Sequence, residues 1–162
     1  MTSKREHFIL IKHPSELNDC TSVTATEAST ALLDAGFWPL FEGTRCRLMV
    51  RAGNKVLIYT AGQGKDSKKF IASATVSEVR AWDRKLAASC PIFLEGIPVS
   101  ALMLGDIQYF DSPRPIFEVL DDLSFIPTNR QKWGVAMMGG MRSIDAQDYD
   151  ILTGGQSIRP AA

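Results

Sequence analysis

Cysteine and histidine are scarce in this chain, and their scarcity removes several kinds of chemistry. Of its 162 residues, three are cysteines and two are histidines. The cysteines are widely spaced, which is typical of a reducing compartment and forms no disulfide framework. No Cys-x-x-Cys, His-Glu-x-x-His or paired-histidine spacing occurs, so the sequence predicts no zinc site. We therefore expect neither a metal nor another cofactor.

Long apolar runs are also missing. No run approaches the ~18 residues that span a bilayer, and residues 1–7 lack the apolar core of a signal peptide. We therefore expect no membrane partner and a cytoplasmic location. The length fits one domain, which can bury roughly two thirds of its unfolded surface. We predict a single domain over residues 1–152 and a flexible tail over 153–162.

The chain has no net charge, yet its basic residues are concentrated in one region. Between residues 44 and 85, ten Lys or Arg accompany three Asp or Glu, whereas acids outnumber bases on either side. A local surplus of this kind, beside aromatic residues, favours an anionic partner such as nucleic acid.

The residue pattern predicts several short strands and a few short helices. A strand at 8–11 precedes a helix that begins at the capping box Thr24-Ala-Thr-Glu27 and ends at Gly36. The runs 55–61 and 70–79 predict a hairpin. Further elements follow along the chain: strand pieces at 102–104 and 107–110, a helical turn at 116–120, a strand at 142–144 and a helix at 145–152. We predict an α+β fold, a small, partly closed β-barrel flanked by short helices.

Three segments in this order carry a family resemblance: Phe37-Trp-Pro-Leu-Phe41, then Gly53-Asn-Lys-Val-Leu-Ile-Tyr59, then Phe70-Ile-Ala-Ser-Ala-Thr-Val76. Together with Gly139-Gly-Met-Arg-Ser-Ile144 they resemble the EVE domain of the PUA-like superfamily, which is related to YTH and ASCH domains. The resemblance covers roughly residues 37–152. Asn54 stands where the family usually has aspartate, and we expect this difference to alter a turn rather than a site.

The resemblance implies a reader of nucleic acid, because EVE domains hold a modified or flipped-out base in an aromatic pocket beside a basic surface. Stacking on aromatic rings and hydrogen bonds to the base edge offset the cost of taking a base out of its stack. The implied base pocket contains Phe37, Trp38, Tyr59, Ser73 and Trp82. The implied phosphate contacts, which position the ligand without reading sequence, are Arg45, Arg47, Arg51, Lys65, Lys68 and Lys69.

Other interpretations of the same residues stay open. Each aromatic residue is also a candidate for the core, and lysines at a hairpin tip also discourage edge pairing. The apolar segment 91–104 is a candidate for protein contact or homodimerisation. Cys46 lies between Arg45 and Arg47, which favour a thiolate, but no nucleophile signature accompanies it. We therefore expect a protein that is not an enzyme.

Overall fold

The computed structural model of the protein describes residues 7–64, 66–154 and 158–160. Its strands are β1 (His7–Lys12), β2 (Ser15–Glu16), β3 (Ser22–Val23), β4 (Phe37–Leu40), β5 (Lys55–Thr60), β6 (Lys69–Ala81), β7 (Ser100–Pro115), β8 (Met141–Ile144) and β9 (Ile158–Pro160). Its helices are α1 (Ala25–Ala35), α2 (Arg84–Ser89) and α3 (Ala146–Thr153), with 3-10 helices at Ile116–Glu118 and Arg130–Met137. The predicted α+β class is confirmed.

The main sheet is curled and has the strand order β4-β7-β6-β5-β1-β8, with β9 added to the second half of β7. Strands β1 and β5 are parallel, and the other neighbouring pairs are antiparallel. Just after β4, the backbone N–H of Arg45 donates to the carbonyl of Gly139, just before β8, at 2.9 Å. This hydrogen bond joins the two edges of the sheet at one end, so the sheet is a partly closed barrel, as predicted.

Helix α1 begins and ends where the sequence predicts. The Thr24 hydroxyl accepts a hydrogen bond from the Glu27 N–H at 3.0 Å, and the Glu27 carboxylate accepts one from the Thr24 N–H at 3.1 Å. At the other end Gly36 adopts a left-handed conformation with φ 85°, which glycine tolerates without a Cβ clash. Between these caps, Leu32 and Leu33 face the sheet and are buried.

Two apolar clusters lie on the two faces of the sheet, because successive side chains of a strand point to opposite sides. Phe8 and Leu10 of β1 belong to the cluster that α1 covers. Ile9 and Ile11 belong to the other cluster, which the 3-10 helices and α3 cover. Strands buried on both faces in this way produce continuous apolar runs instead of alternation, which explains the run at the start of the chain.

The two strand pieces predicted at 102–104 and 107–110 are one strand, β7, so the predicted break is wrong. Gly105 and Asp106 lie inside β7, and Asp106 has φ 48°. The pairing of β7 with β6 changes register at three places. A bulge inserts an extra residue and bends the strand without ending it, so residues that signal a turn in sequence are accommodated within the curled sheet.

The hairpin of β5 and β6 is confirmed, and Asn54 shapes the turn that precedes it. The Asn54 side-chain oxygen accepts a hydrogen bond from the Arg51 N–H at 2.8 Å. The backbone of Asn54 also donates to the Arg51 carbonyl at 3.1 Å and accepts from the Val76 N–H at 2.9 Å. Asn54 therefore has its hydrogen bonds within a turn, and its difference from the EVE pattern stays a prediction.

Part of the predicted flexible tail, residues 153–162, has regular structure instead. Thr153 ends α3, and residues 158–160 form β9, which pairs with β7 at 108–110. Strand β4 pairs only with the first part of β7. The edge of the second part is therefore open to β9, which forms backbone hydrogen bonds with it.

Candidate functional site

A cavity lies where β1 ends. Its volume is about 590 Å³, which is within the range of small-molecule sites. The residues whose chemistry distinguishes it are Lys12, His13, Glu16, Phe41, Phe93 and Glu95. A second cavity of about 100 Å³ adjoins it, shares Lys12, Phe41 and Leu94 with it, and reaches Trp38 and Gly140. We refer to these two adjoining cavities together as the cleft.

One wall of the cleft is formed by two chain segments that are hydrogen-bonded to each other. The Phe93 N–H donates to the Glu16 carbonyl at 2.8 Å, and the Asn18 side chain donates to the Cys90 carbonyl at 2.9 Å. An antiparallel bridge joins Leu17 to Ile92. These contacts hold the segment that carries Phe93 against the chain that follows β1, although this segment has little regular structure of its own.

The turn that follows β4 also lines the cleft. The Phe41 N–H donates to the Thr44 hydroxyl at 2.9 Å, which closes this turn. The Phe41 ring is half-buried, and a Cβ placed on Gly96 would lie 3.9 Å from its edge. Phe41 and the segment around Gly96 are therefore in close proximity, and Phe93 in that segment is 53% exposed. The cleft thus has two aromatic rings with accessible surface.

Lys12 is the cation of the cleft. Burial lowers the pKa of Lys12 below its ordinary value, while Cys90 and Glu95 act in the opposite direction. Burial also lowers the pKa of His13, and the charge of Lys12 adds to this effect. Among the residues that the structure describes, the Lys12 ammonium has no ion pair and no hydrogen-bond acceptor. A partly desolvated ammonium of this kind favours a ligand that brings an acceptor.

The five residues of the predicted base pocket do not come together. Trp38 is 4% exposed, so most of its ring packs in the core and only part of it contributes to the cleft. Phe37 is buried and contacts Trp82 edge-on, with ring centroids 6.0 Å apart. Tyr59 is 1% exposed and packs on Phe70 in the cluster on the other face of the sheet. Trp38 and Tyr59 therefore cannot contact one base.

Ser73 also lies away from the cleft. It pairs with Leu57, whose side chain is in the same cluster as Tyr59. Burial raises the pKa of Tyr149, and a hydrogen bond with Ser73 acts in the opposite direction. Ser73 therefore lies near Tyr149 of α3, and of the predicted pocket residues only Trp38 lines the cleft.

Among the predicted phosphate contacts, Arg45 is placed close to the cleft. Arg45 follows Thr44, which lines the smaller cavity, and its side chain lies against Gly139, the neighbour of Gly140. Arg47 is half-buried and donates to the Glu42 carbonyl at 3.1 Å.

The remaining phosphate candidates divide between the two ends of the sheet. Lys68 and Lys69 are half-buried and follow the turn around Gly62, which lies against Pro14 at the rim of the cleft. Arg51 lies before β5, at the end of the sheet away from Lys12. Lys65 lies outside the described residues.

Sequence reasoning did not find Lys12, Phe41, Phe93 or Glu95. Phe41 is the last residue of the aromatic motif 37–41, and Lys12 directly follows the apolar run 8–11. A sequence signal therefore existed for both residues, namely an aromatic or polar side chain at the end of a buried run. For Phe93 and Glu95 no signal existed, because an irregular segment brings them to the cleft through contacts distant in sequence.

Other chemistry has little support in the described residues. Cys46 is half-buried and packs against the first core cluster, with φ 65°. The His7 ring packs against Tyr149, with ring centroids 4.6 Å apart and the ring planes tilted by 44°. Within the described ranges no three His, Cys, Asp or Glu side chains are grouped as a metal site. No helix there is long and apolar enough to cross a membrane.

Comparison with solved structures identifies the fold. The chain is similar to ASCH from Zymomonas mobilis, with a TM-score of 0.60 and 12% identity over 94% of this chain and 97% of that chain. It is also similar to the N-terminal domain of Staphylothermus marinus McrB, with a TM-score of 0.57 and 10% identity over 94% of this chain and 96% of that chain. The fold is PUA-like.

Identities this low establish the PUA-like fold alone. No protein-family model and no curated protein matches the chain. The narrower EVE resemblance therefore stays a prediction, and function has to be inferred from the cleft, since one fold carries many functions.

Proposed function

We propose that this PUA-like protein is a nucleic-acid-binding module that holds one flipped-out or modified base in the cleft, without catalysing a reaction. The observation that supports it best is the cleft itself, in which two accessible aromatic rings accompany a lysine that has no hydrogen-bond or ion-pair partner within the described part of the chain. Aromatic rings stack on bases of any sequence, and an ammonium donates to a base oxygen or to a phosphate.

Basic residues on two sides of the cleft are consistent with this proposal. Arg45 lies beside the smaller cavity, and the turn that leads to Lys68 lies beside the larger one. Side chains there would contact the phosphates on either side of the bound nucleotide, while the base enters between Phe41 and Phe93. Phosphate contacts supply affinity and position, and the cleft supplies selectivity.

Phe93→Ala tests the proposal with little risk to the fold, because Phe93 is 53% exposed. We expect the variant to lose about 1–3 kcal/mol of binding, the stacking energy of one base. The measurement is a fluorescence titration against short single- and double-stranded DNA and RNA, with and without methylated or hydroxymethylated bases. Trp38→Ala is a poorer test, since removing a buried tryptophan costs about 3–5 kcal/mol of stability.

Phe117→Ala is the matched control for that titration. Phe117 is 56% exposed, similar to Phe93, but it packs on Trp133 and does not line the cleft. We expect this variant to bind as the wild type does. Unchanged affinity in Phe93→Ala, or an equal loss in both variants, would contradict a stacking role for the cleft.

A protein-interaction role is the second candidate, and exposed apolar residues of the segment 91–104 favour it. Ile97 is 84% exposed. Residues 100–103 of the segment are paired on both sides, with β4 and β6, so they do not form an open edge. Size-exclusion chromatography over a range of concentrations separates the two cases. A second copy docked on this segment would give a concentration-dependent dimer that Ile97→Ser weakens.

A further inference from the structure

A further cavity adjoins the cleft on the side of the turn that follows β5. Its volume is about 340 Å³, at the lower end of the range of small-molecule sites, and we call it the side cavity. It shares Pro14, Ser22 and Val23 with the larger cavity of the cleft. Pro14 and Ser22 are exposed and Val23 is half-buried, so the boundary between the two spaces is open to solvent. A chain molecule can therefore cross this boundary and reach both spaces.

Contacts within the protein hold the walls of the side cavity in place. The start of α1 lines one part of it and the turn after β5 another. The hydroxyl groups of Thr26 and Thr60 both donate to the Asp66 carbonyl, at 3.2 Å and 3.0 Å. Gly62 in the same turn packs closely on Pro14, since a Cβ placed on it would lie 2.8 Å from the proline Cδ. The turn is thus fixed by α1, by β5 and by the chain after β1, and the protein itself sets the shape of the side cavity.

The side cavity is polar, and its charged groups within the described part of the chain are carboxylates. The polar residues described along its lining are Ser22, Thr24, Glu27, Gln63, Asp66 and Ser67. The carboxylates of Glu27 and Asp66 are exposed. An ionised carboxylate accepts hydrogen bonds without donating any, and it repels a phosphate. The part of a ligand that fits here therefore carries hydrogen-bond donors and no phosphate.

A nucleoside has such donors in its sugar hydroxyl groups and in the N–H groups of its base. We propose that the side cavity holds the sugar and base of a second nucleotide, the direct neighbour of the nucleotide in the cleft. The phosphate between them lies over the exposed boundary at Pro14 and Ser22, outside both cavities. This inference rests on the proposed function, because it extends the ligand from one base in the cleft to the next nucleotide.

The arrangement also defines the form of the nucleic acid. Two neighbouring bases in separate cavities are neither stacked on each other nor paired with a second strand. The ligand is therefore an unpaired stretch of at least two nucleotides, such as a loop or a single strand, where bases are free to separate in this way. No base is selected by the side cavity, since every base carries donors on its edge or on its sugar.

Oligonucleotides that carry two bases test the arrangement. Every probe is an otherwise abasic single strand of one length: one carries two adjacent bases, one carries the same two bases separated by several abasic nucleotides, and one carries none. The set is made with each of the four bases and with methylcytosine. Phosphates and base count are equal in the two-base probes, so their difference in affinity reports on adjacency alone. We expect the adjacent pair to bind about 2- to 10-fold tighter, the net free energy of one hydrogen bond.

Variants assign this difference to the side cavity. Gln63→Ala combined with Asp66→Ala removes two exposed side chains that line the side cavity and do not line the cleft. We expect this double variant to bind the adjacent and separated pairs equally. Gln147→Ala combined with Asp150→Ala is the matched control, because it makes the same two changes at exposed positions of α3. It should keep the difference seen with the wild type.

Different outcomes overturn the two proposals. If the adjacent pair binds no tighter than the separated pair, or if the Gln63→Ala and Asp66→Ala variant keeps the difference, the side cavity does not hold a second nucleotide, while base capture in the cleft stands. If no two-base probe binds tighter than the fully abasic strand, base capture in the cleft is wrong, and the second nucleotide fails with it.

Discussion

Burial of the Lys12 side chain disfavours the charged form of its ammonium in the folded protein. Burial is the largest influence on its pKa and lowers it, which means that the folded state holds this proton less tightly than the unfolded state does. The groups facing Lys12 are Cys90, Glu95 and His13, and the first two reduce the penalty without removing it. A side chain that is retained at such a cost is a candidate for function.

This cost gives a pH-dependent prediction. Below the folded-state pKa of Lys12 the penalty is fully present, and it is relieved as the pH rises through that pKa towards the ordinary value of 10.5. We expect Lys12→Met to have a higher free energy of unfolding than the wild type at pH 7, and the difference to shrink at alkaline pH. Urea unfolding at several pH values measures both.

Lys55→Met is the control for that experiment. Lys55 is exposed at the other end of β5, where its ammonium donates to the Thr75 hydroxyl at 3.1 Å. Its replacement should leave the free energy of unfolding almost unchanged at either pH, as is usual for surface positions. A Lys12→Met variant that is less stable than the wild type at pH 7 would show that Lys12 is a structural residue.

The directions of individual side chains also explain why the residues of the predicted base pocket do not come together. Trp38 and Tyr59 are both predicted to line one pocket, but alternation along β5 directs Tyr59 towards the cluster with Phe70. Sequence predicts that side chains alternate, and it does not say which face of the sheet meets the ligand. That choice depends on which elements cover each face, which is a property of the whole fold.

At the scale of elements, the joined sheet edges hold Arg45 beside the cleft. Gly139 has φ 88°, and a Cβ on it would lie 2.5 Å from Cδ of Arg45. The left-handed conformation and the lack of space both disfavour a side chain at position 139. With glycine at this position, the Arg45 side chain can pack directly on the backbone before β8. The same segment continues to Gly140, which lines the cleft.

Gly139→Ala should therefore destabilise the contact that joins the two edges of the sheet. We expect a loss of about 1–2 kcal/mol from the left-handed conformation alone, together with displacement of Arg45 and weaker binding of oligonucleotides. Gly134→Ala is the control, because a Cβ there meets no heavy atom within 4 Å. Thermal unfolding and the oligonucleotide titration measure the two effects. If both variants behave alike, the contact between Gly139 and Arg45 does not hold the edges together.

At the scale of the whole molecule, the basic residues of region 44–85 are divided by the fold. Arg45 and the turn that leads to Lys68 flank the cleft, while Arg51 lies at the far end of β5. The regional surplus of charge that sequence reveals is thus real, but only part of it faces the proposed ligand. The salt dependence of nucleic-acid binding can distinguish the basic residues that face the ligand from those that do not.

Each phosphate contact adds about 0.7 to the slope of log affinity against log salt for single-stranded nucleic acid. We expect Arg45→Ala to reduce this slope by roughly that amount and Arg51→Ala to leave it unchanged. The measurement is the titration repeated over several salt concentrations. An equal reduction in both variants would mean that the ligand extends over the whole basic region, and an unchanged slope in both would remove Arg45 from the interface.

The sequence by itself determined the local elements of this protein: the first strand, the capped helix α1, the hairpin of β5 and β6, and the α+β class. Each depends on neighbours in the chain, such as the hydrogen bonds between Thr24 and Glu27. Only the tertiary structure determined which residues form the cleft. Lys12, Phe41 and Glu95 come from three separate segments, and they meet because the sheet curls and long-range backbone hydrogen bonds hold the segment around Phe93 in place. Such contacts leave no periodic pattern in the sequence.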